Sequence, residues 1–131
     1  MPADAKRSEV VLALSSDLSL LDVVRGGVGL VALQNDFDEA ATLNLQYAVE
    51  QACRLIIAEH YGGRSDQTVT LHLEAFADRL EIMLEDSGTP SELDTSSPRA
   101  FLIARGVDRV TQEHFPEAGN RLTLVKYHSR T

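Results

Sequence analysis

Tyr47-Ala48-Val49-Glu50-Gln51-Ala52-Cys53-Arg54-Leu55 sits inside a helical pattern that runs over residues 39–61. Leu45, Val49, Ala52, Ile56 and His60 recur there at three- and four-residue steps, so one stripe of the helix faces a core. Glu50 and Arg54 stand four apart on another face and read as a solvated ion pair of small worth. Cys53 lies beside the apolar stripe and reads as a small buried hydrophobe rather than a nucleophile. Gly62-Gly63 ends the helix, because glycine tolerates the left-handed backbone of a C-terminal cap.

Outward from this helix, the rest of the chain falls into short elements. Upstream, residues 10–14 form an apolar strand. Ser15-Ser16-Asp17 offers N-cap chemistry for a helix over residues 18–34, which Asn35-Asp36-Phe37-Asp38 then breaks. Downstream, the spacing predicts strands over 67–75 and 79–85 around a turn at Ala77-Asp78. Alternation puts Val69, Leu71 and Leu73 inward and Thr70, His72 and Glu74 outward. Leu80, Ile82 and Leu84 point in on the second strand, and the same register carries Asp86 inward just past its end. A carboxylate there is costly unless something satisfies it.

After Ser87-Gly88-Thr89-Pro90 the chain stays polar to Ser97, where Ser97-Pro98 makes a good start for a helix over 98–107. Strands over 109–115 and 121–126 follow, joined by a turn within 116–120. The order β-α-α-β-β-α-β-β predicts an α+β two-layer sandwich, with helices on one face of a mixed, mostly antiparallel sheet. Residues 1–131 read as a single domain, with residues 1–8 as a flexible lead.

Charge and composition exclude several classes. Twelve Lys and Arg against 20 Asp and Glu give a formal charge of −8, the wrong sign for a nucleic-acid binder that must neutralise phosphates. That charge does suit a partner with a basic patch. No stretch approaches the roughly 20 apolar residues of a membrane span, and the apolar run at 10–14 is too short for a signal peptide. One cysteine cannot form an internal disulfide, in keeping with a cytoplasmic location. His72 and Glu74, or Glu59 and His60, lack the third convergent donor that a metal needs.

Three motifs, in their order along the chain, resemble those of bacterial anti-sigma-factor serine kinases of the GHKL (Bergerat) ATPase superfamily. The resemblance spans about residues 9–127. The family's helix motif reads approximately A-V-E-E-A-C-T-N; Ala48, Val49, Glu50, Ala52 and Cys53 match it, and His60-Tyr61 resembles its H-A-Y ending displaced by one residue. The D-x-G-x-G motif appears as Asp86-Ser87-Gly88-Thr89-Pro90. The phosphate-binding G-x-G-L is present only as the helix after it, with Ser97 and Arg99 at the glycine places, and the family's Gly-Thr before the last strand is Gly119-Asn120.

The resemblance implies a histidine-kinase-like ATPase fold and a nucleotide site drawn from Asp86, Gly88, Gln51, Arg99 and Asn120. In the family, the Asp accepts the adenine amino group and the first Gly lets the backbone approach the base; both residues are kept here. The catalytic Glu and the magnesium-holding Asn fall at Gln51 and Leu55. A neutral amide cannot serve as a general base, and Leu offers no oxygen to a hard cation. Glu50 lies about 100° around the helix from Gln51 and cannot replace that Glu. The stretch between Asp86 and Pro98 carries Glu92 and Asp94 and no cation, which repels a triphosphate.

The expectation is therefore a regulatory protein that works by protein–protein binding, with no catalytic residue and no metal ligand assigned. ATP or ADP is a weak candidate ligand, and magnesium a weaker one. A sigma factor or a STAS-type antagonist is the partner the resemblance implies, and a homodimer is compatible with it. An active serine/threonine kinase and a nucleotide sensor without turnover are the alternatives.

Overall fold

The computed structural model describes residues 5–128. In chain order it contains β1 (Ser8–Ser15), a short 3-10 turn (Leu18–Leu20), α1 (Leu21–Gln34), α2 (Glu39–Glu59), β2 (Thr68–Ala75), β3 (Arg79–Asp86), α3 (Pro98–Gly106), β4 (Arg109–Phe115) and β5 (Gly119–Tyr127). The five strands form one sheet in the order β1-β2-β3-β5-β4, and every pairing is antiparallel. α2 is the middle helix of the second layer and packs against both α1 and α3.

Capping decides most of the boundaries. Asp17 accepts Ser19 N–H at 2.9 Å, which starts a 3-10 turn, so the helix expected from residue 18 becomes regular only at Leu21. Asp38 caps α2 by accepting Ala41 N–H at 2.7 Å. At the other end of α2, His60 is the C-cap and Gly62 and Gly63 take φ of +58° and +81°. Gly63 N–H then closes on Ile57 O at 2.8 Å.

The expected alternation holds on β2 and β3. Leu71, Leu73, Leu80, Ile82 and Leu84 are fully buried, together with Val24, Val28, Val49 and Ile56 from the helices. The opposite sheet face is mostly polar, with Val11 exposed among the polar side chains. There His72 pairs with Glu85 at 2.6 Å and Lys6 with Glu74 at 2.8 Å. Of the lead expected to be flexible, residues 1–4 lie outside the described residues; Arg7 N–H bonds Ala75 O at 2.7 Å and Ser8 opens β1.

Glu50 departs from expectation. Its residue is 9% exposed, and its carboxylate lies 3.8 Å from both Arg54 and Arg25. α1 crosses α2 closely enough for Gln46 to reach Arg25 O at 2.9 Å, and the same approach covers Glu50. No helix among the described residues is long and apolar enough to cross a membrane.

Candidate nucleotide site

Asp86, the last residue of β3, is 5% exposed on the inner face of the sheet. Its Oδ2 lies 2.7 Å from His60 Nδ1, and its Oδ1 accepts Asn120 Nδ2 at 2.9 Å and Gly88 N–H at 3.0 Å. Two distant elements supply these donors. His60 comes from the end of α2, and Asn120 is the β5 residue paired directly with Asp86 across the ladder. The carboxylate that the strand register placed inside is satisfied entirely by the protein.

His60 is held at both ring nitrogens. Nε2 lies 2.9 Å from Ser91 O, which can only accept, so Nε2 carries a proton. Nδ1 faces a carboxylate, which favours a second proton and an imidazolium. Burial works to lower the His60 pKa, but the hydrogen bond and charge of Asp86, with Ser91 O and Glu59, overcome it and raise the pKa above the usual histidine range. The two side chains are 2% and 1% exposed, so this is a buried pair.

The network continues into the loop after β3. Asn120 Oδ1 accepts Ser91 N–H at 3.1 Å and faces His114 Nδ1 at 2.8 Å. Tyr61 donates its hydroxyl to Thr68 O at 2.5 Å and accepts Ser87 N–H at 2.8 Å. Leu93, 5% exposed, anchors the middle of the loop, its N–H donated to Gln112 Oε1 at 2.8 Å. Asp94 N–H reaches Glu59 Oε1, also at 2.8 Å. The loop lies closed over the end of β3.

That closure leaves no room on the side of Asp86 that faces Leu93 and His114. The space between His60, Asp86, Leu93, His114 and Asn120 does not admit a water-sized sphere. Gly88 is pressed on α2, where an added Cβ would stand 2.7 Å from His60 O. The backbone approach that the resemblance assigns to a base is made by the protein itself.

The other candidates lie apart from this cluster. Gln51 is 9% exposed inside α2, and its side chain makes no hydrogen bond among the described residues. Leu55, 4% exposed, belongs to the core and lines a separate cleft of about 350 Å³ beneath the loop, beside Ile103, Val110 and Leu122. Arg99 is exposed on the first turn of α3 and is not among the residues lining that cleft. Ser97 Oγ caps α3, accepting Ala100 N–H at 3.1 Å and donating to Asp94 O at 3.0 Å. Of the five expected nucleotide-site residues, the fold brings together Asp86, Gly88 and Asn120.

Sequence reasoning missed three participants. His60 was readable as buried but not as the partner of Asp86, and His114 and Leu93 gave no comparable signal. The clue to Leu93 is a lone leucine within Ser91-Glu92-Leu93-Asp94. Among the described residues, no group of three or more His, Cys, Asp or Glu side chains converges for a metal.

The architecture agrees with what comparison of the chain with known families finds. A family model described as the histidine kinase-like ATPase domain matches residues 14–126, and the chain belongs to that family. Among solved structures, the fold is similar to that of the RsbU and RsbW domains of Rv1364c from Mycobacterium tuberculosis, with a TM-score of 0.72 at 14% identity. The match covers 95% of this chain and 33% of that one, so the present chain spans about a third of its relative. Comparison with curated proteins gives no match.

The family implies ATP with magnesium, and the residues at hand do not fit that group. The Asp86 oxygens are taken by His60, Asn120 and Gly88. The place that the resemblance assigns to the metal-holding amide is occupied by Leu55, which belongs to the core. The cleft beside Leu55 is faced by Glu92 and Asp94 and by no Lys or Arg, a poor setting for a triphosphate.

Proposed function

We propose that this chain is a non-catalytic regulatory module, a pseudokinase of the anti-sigma type, that acts by binding another protein. The observation that carries this reading is the internal satisfaction of Asp86, the one motif residue that would otherwise read an adenine. Leu55 in the core and Gln51 at the position of the general base support it. By resemblance the partner is a sigma factor or a STAS-type antagonist, and the net charge of −8 favours one with a basic surface. The warrant for the partner is analogy of fold.

The test is calorimetric titration with ATP, ADP and AMP, with and without magnesium, alongside radiolabel transfer to a STAS-type protein. The expected result is no transfer above background, and nucleotide binding that is weak and indifferent to magnesium. Micromolar binding that requires magnesium would overturn the reading, as would transfer that survives repurification and vanishes in Gln51→Ala.

A further inference from the structure

The cleft beneath the loop has a floor of Leu55, Ile103, Val110 and Leu122 and is flanked by Leu93. Its free volume of about 350 Å³ falls within the range of small-molecule sites, which begins near 300 Å³. The charged groups that line it are both carboxylates, Glu92 and Asp94 on its loop side beside Thr95, and no Lys or Arg lines it. Glu92 has no hydrogen bond or ion pair among the described residues, and Asp94 keeps one carboxylate oxygen beyond the Oδ1 that accepts Ser96 N–H and Oγ.

From these two features, we infer that the cleft beside Leu55 binds a small organic cation, an amine with an apolar body, in place of the triphosphate its position suggests. An apolar body of one ring and a few methylenes fills the volume over the leucines, where removal from water drives binding. Its ammonium then meets the Glu92 and Asp94 carboxylates at the mouth, which the loop bonds from Leu93 to Gln112 and from Asp94 to Glu59 hold over the cleft. An anion of the same shape meets the same carboxylates as repulsion, so charge sets the selectivity and the leucine floor supplies the affinity. Ser96 holds the Asp94 carboxyl below its usual range through its hydroxyl and N–H, which keeps the charge in place near neutral pH. This inference rests on the proposed loss of nucleotide binding, because both ligands would share the wall formed by Leu55.

The experiment pairs two probes of one shape, 4-phenylbutylamine and 4-phenylbutyrate, titrated into the full chain and followed by amide chemical shifts. The amine is expected to move the amides of Leu55, Leu93 and Ile103 and to bind at least about tenfold more tightly than the acid. Glu92→Gln with Asp94→Asn should abolish that preference. Ala104→Phe, at an exposed position lining the cleft, should remove binding of both probes. Equal binding of the two probes to the parent chain would overturn the inference, and so would amine binding undiminished in Ala104→Phe. An ATP–magnesium titration of the same sample separates the two readings. If amine and ATP both fail to bind, the cleft inference falls and the pseudokinase reading stands. If ATP binds with magnesium and displaces the amine, the pseudokinase reading falls and the cation preference stands.

Discussion

Asp86→Ala tests whether the strand-end carboxylate is a structural group or a ligand contact. The substitution removes three bonds at once, to His60 Nδ1, Asn120 Nδ2 and Gly88 N–H. With both charged side chains nearly fully buried, removing one partner of such a pair costs about 3–5 kcal/mol. His60 can limit the loss by releasing its proton near neutral pH, since an ordinary histidine titrates near 6.5, so the lower figure is the better expectation. The orphaned donors of Asn120 and Gly88 oppose any further recovery. A loss of about 3 kcal/mol in a domain of this length lowers Tm by on the order of 10 °C. The assay is thermal and urea unfolding of Asp86→Ala, His60→Ala and the double variant without ligand. The two single changes should couple, the double costing clearly less than their sum. An Asp86→Ala loss below about 1 kcal/mol would refute the reasoning, because a carboxylate waiting in an open pocket for a base contributes little to the unliganded fold.

Four further outcomes are expected. The raised His60 pKa contributes stability that is fully present below the unfolded value near 6.5 and is lost as pH rises through the higher folded value. Urea unfolding between pH 6 and 9 should therefore show falling stability, and His60→Ala should flatten the slope. Leu55→Asn should cost about 2–4 kcal/mol by urea unfolding, combining lost apolar burial with a poorly satisfied amide; adding Gln51→Glu should still give no phosphotransfer in a radiolabel assay. Gly88→Ala should lose about 1–3 kcal/mol in the same unfolding assay, because its Cβ would press on the His60 backbone. Cys53, 2% exposed and with its thiol pushed up to about 12 by burial and by Glu50, should resist iodoacetamide in the native state and react on unfolding.

Local periodicity made much of the fold legible and little of the site. The stripe through Leu45, Val49, Ala52 and Ile56 fixed α2, and two-residue alternation fixed β2 and β3 together with the inward placement of Asp86. The side-chain donors that satisfy Asp86 lie 26 and 34 residues away. They depend on the β3–β5 pairing and on where α2 stops, which no short window of sequence encodes. Glu50 was misjudged for a related reason: its i,i+4 partner was visible, but the approach of α1 that buries it was not. The loop after β3 was read as polar throughout because a single leucine carries no periodicity, yet Leu93 is what anchors it.

The closed cluster also sets a scale for residual nucleotide affinity. A base that used Asp86 would have to displace His60 and the loop that Ser91 ties to it. If that rearrangement costs the same ~3 kcal/mol as breaking the pair, the binding-competent state is populated at roughly one part in a hundred, and apparent affinity falls by about the same factor. Relaxing the cluster with His60→Ala would remove that penalty at the base without restoring a phosphate site. Leu55 would still occupy the wall of the cleft, and Glu92 and Asp94 would still face it. On the proposed reading, closure at the base and mismatch at the phosphates are independent obstacles, set in two separate spaces that Leu93 lines. Repairing the helix motif alone leaves both the acidic loop and the His60–Asp86 pair in place, which is why two substitutions in α2 are not expected to make a kinase.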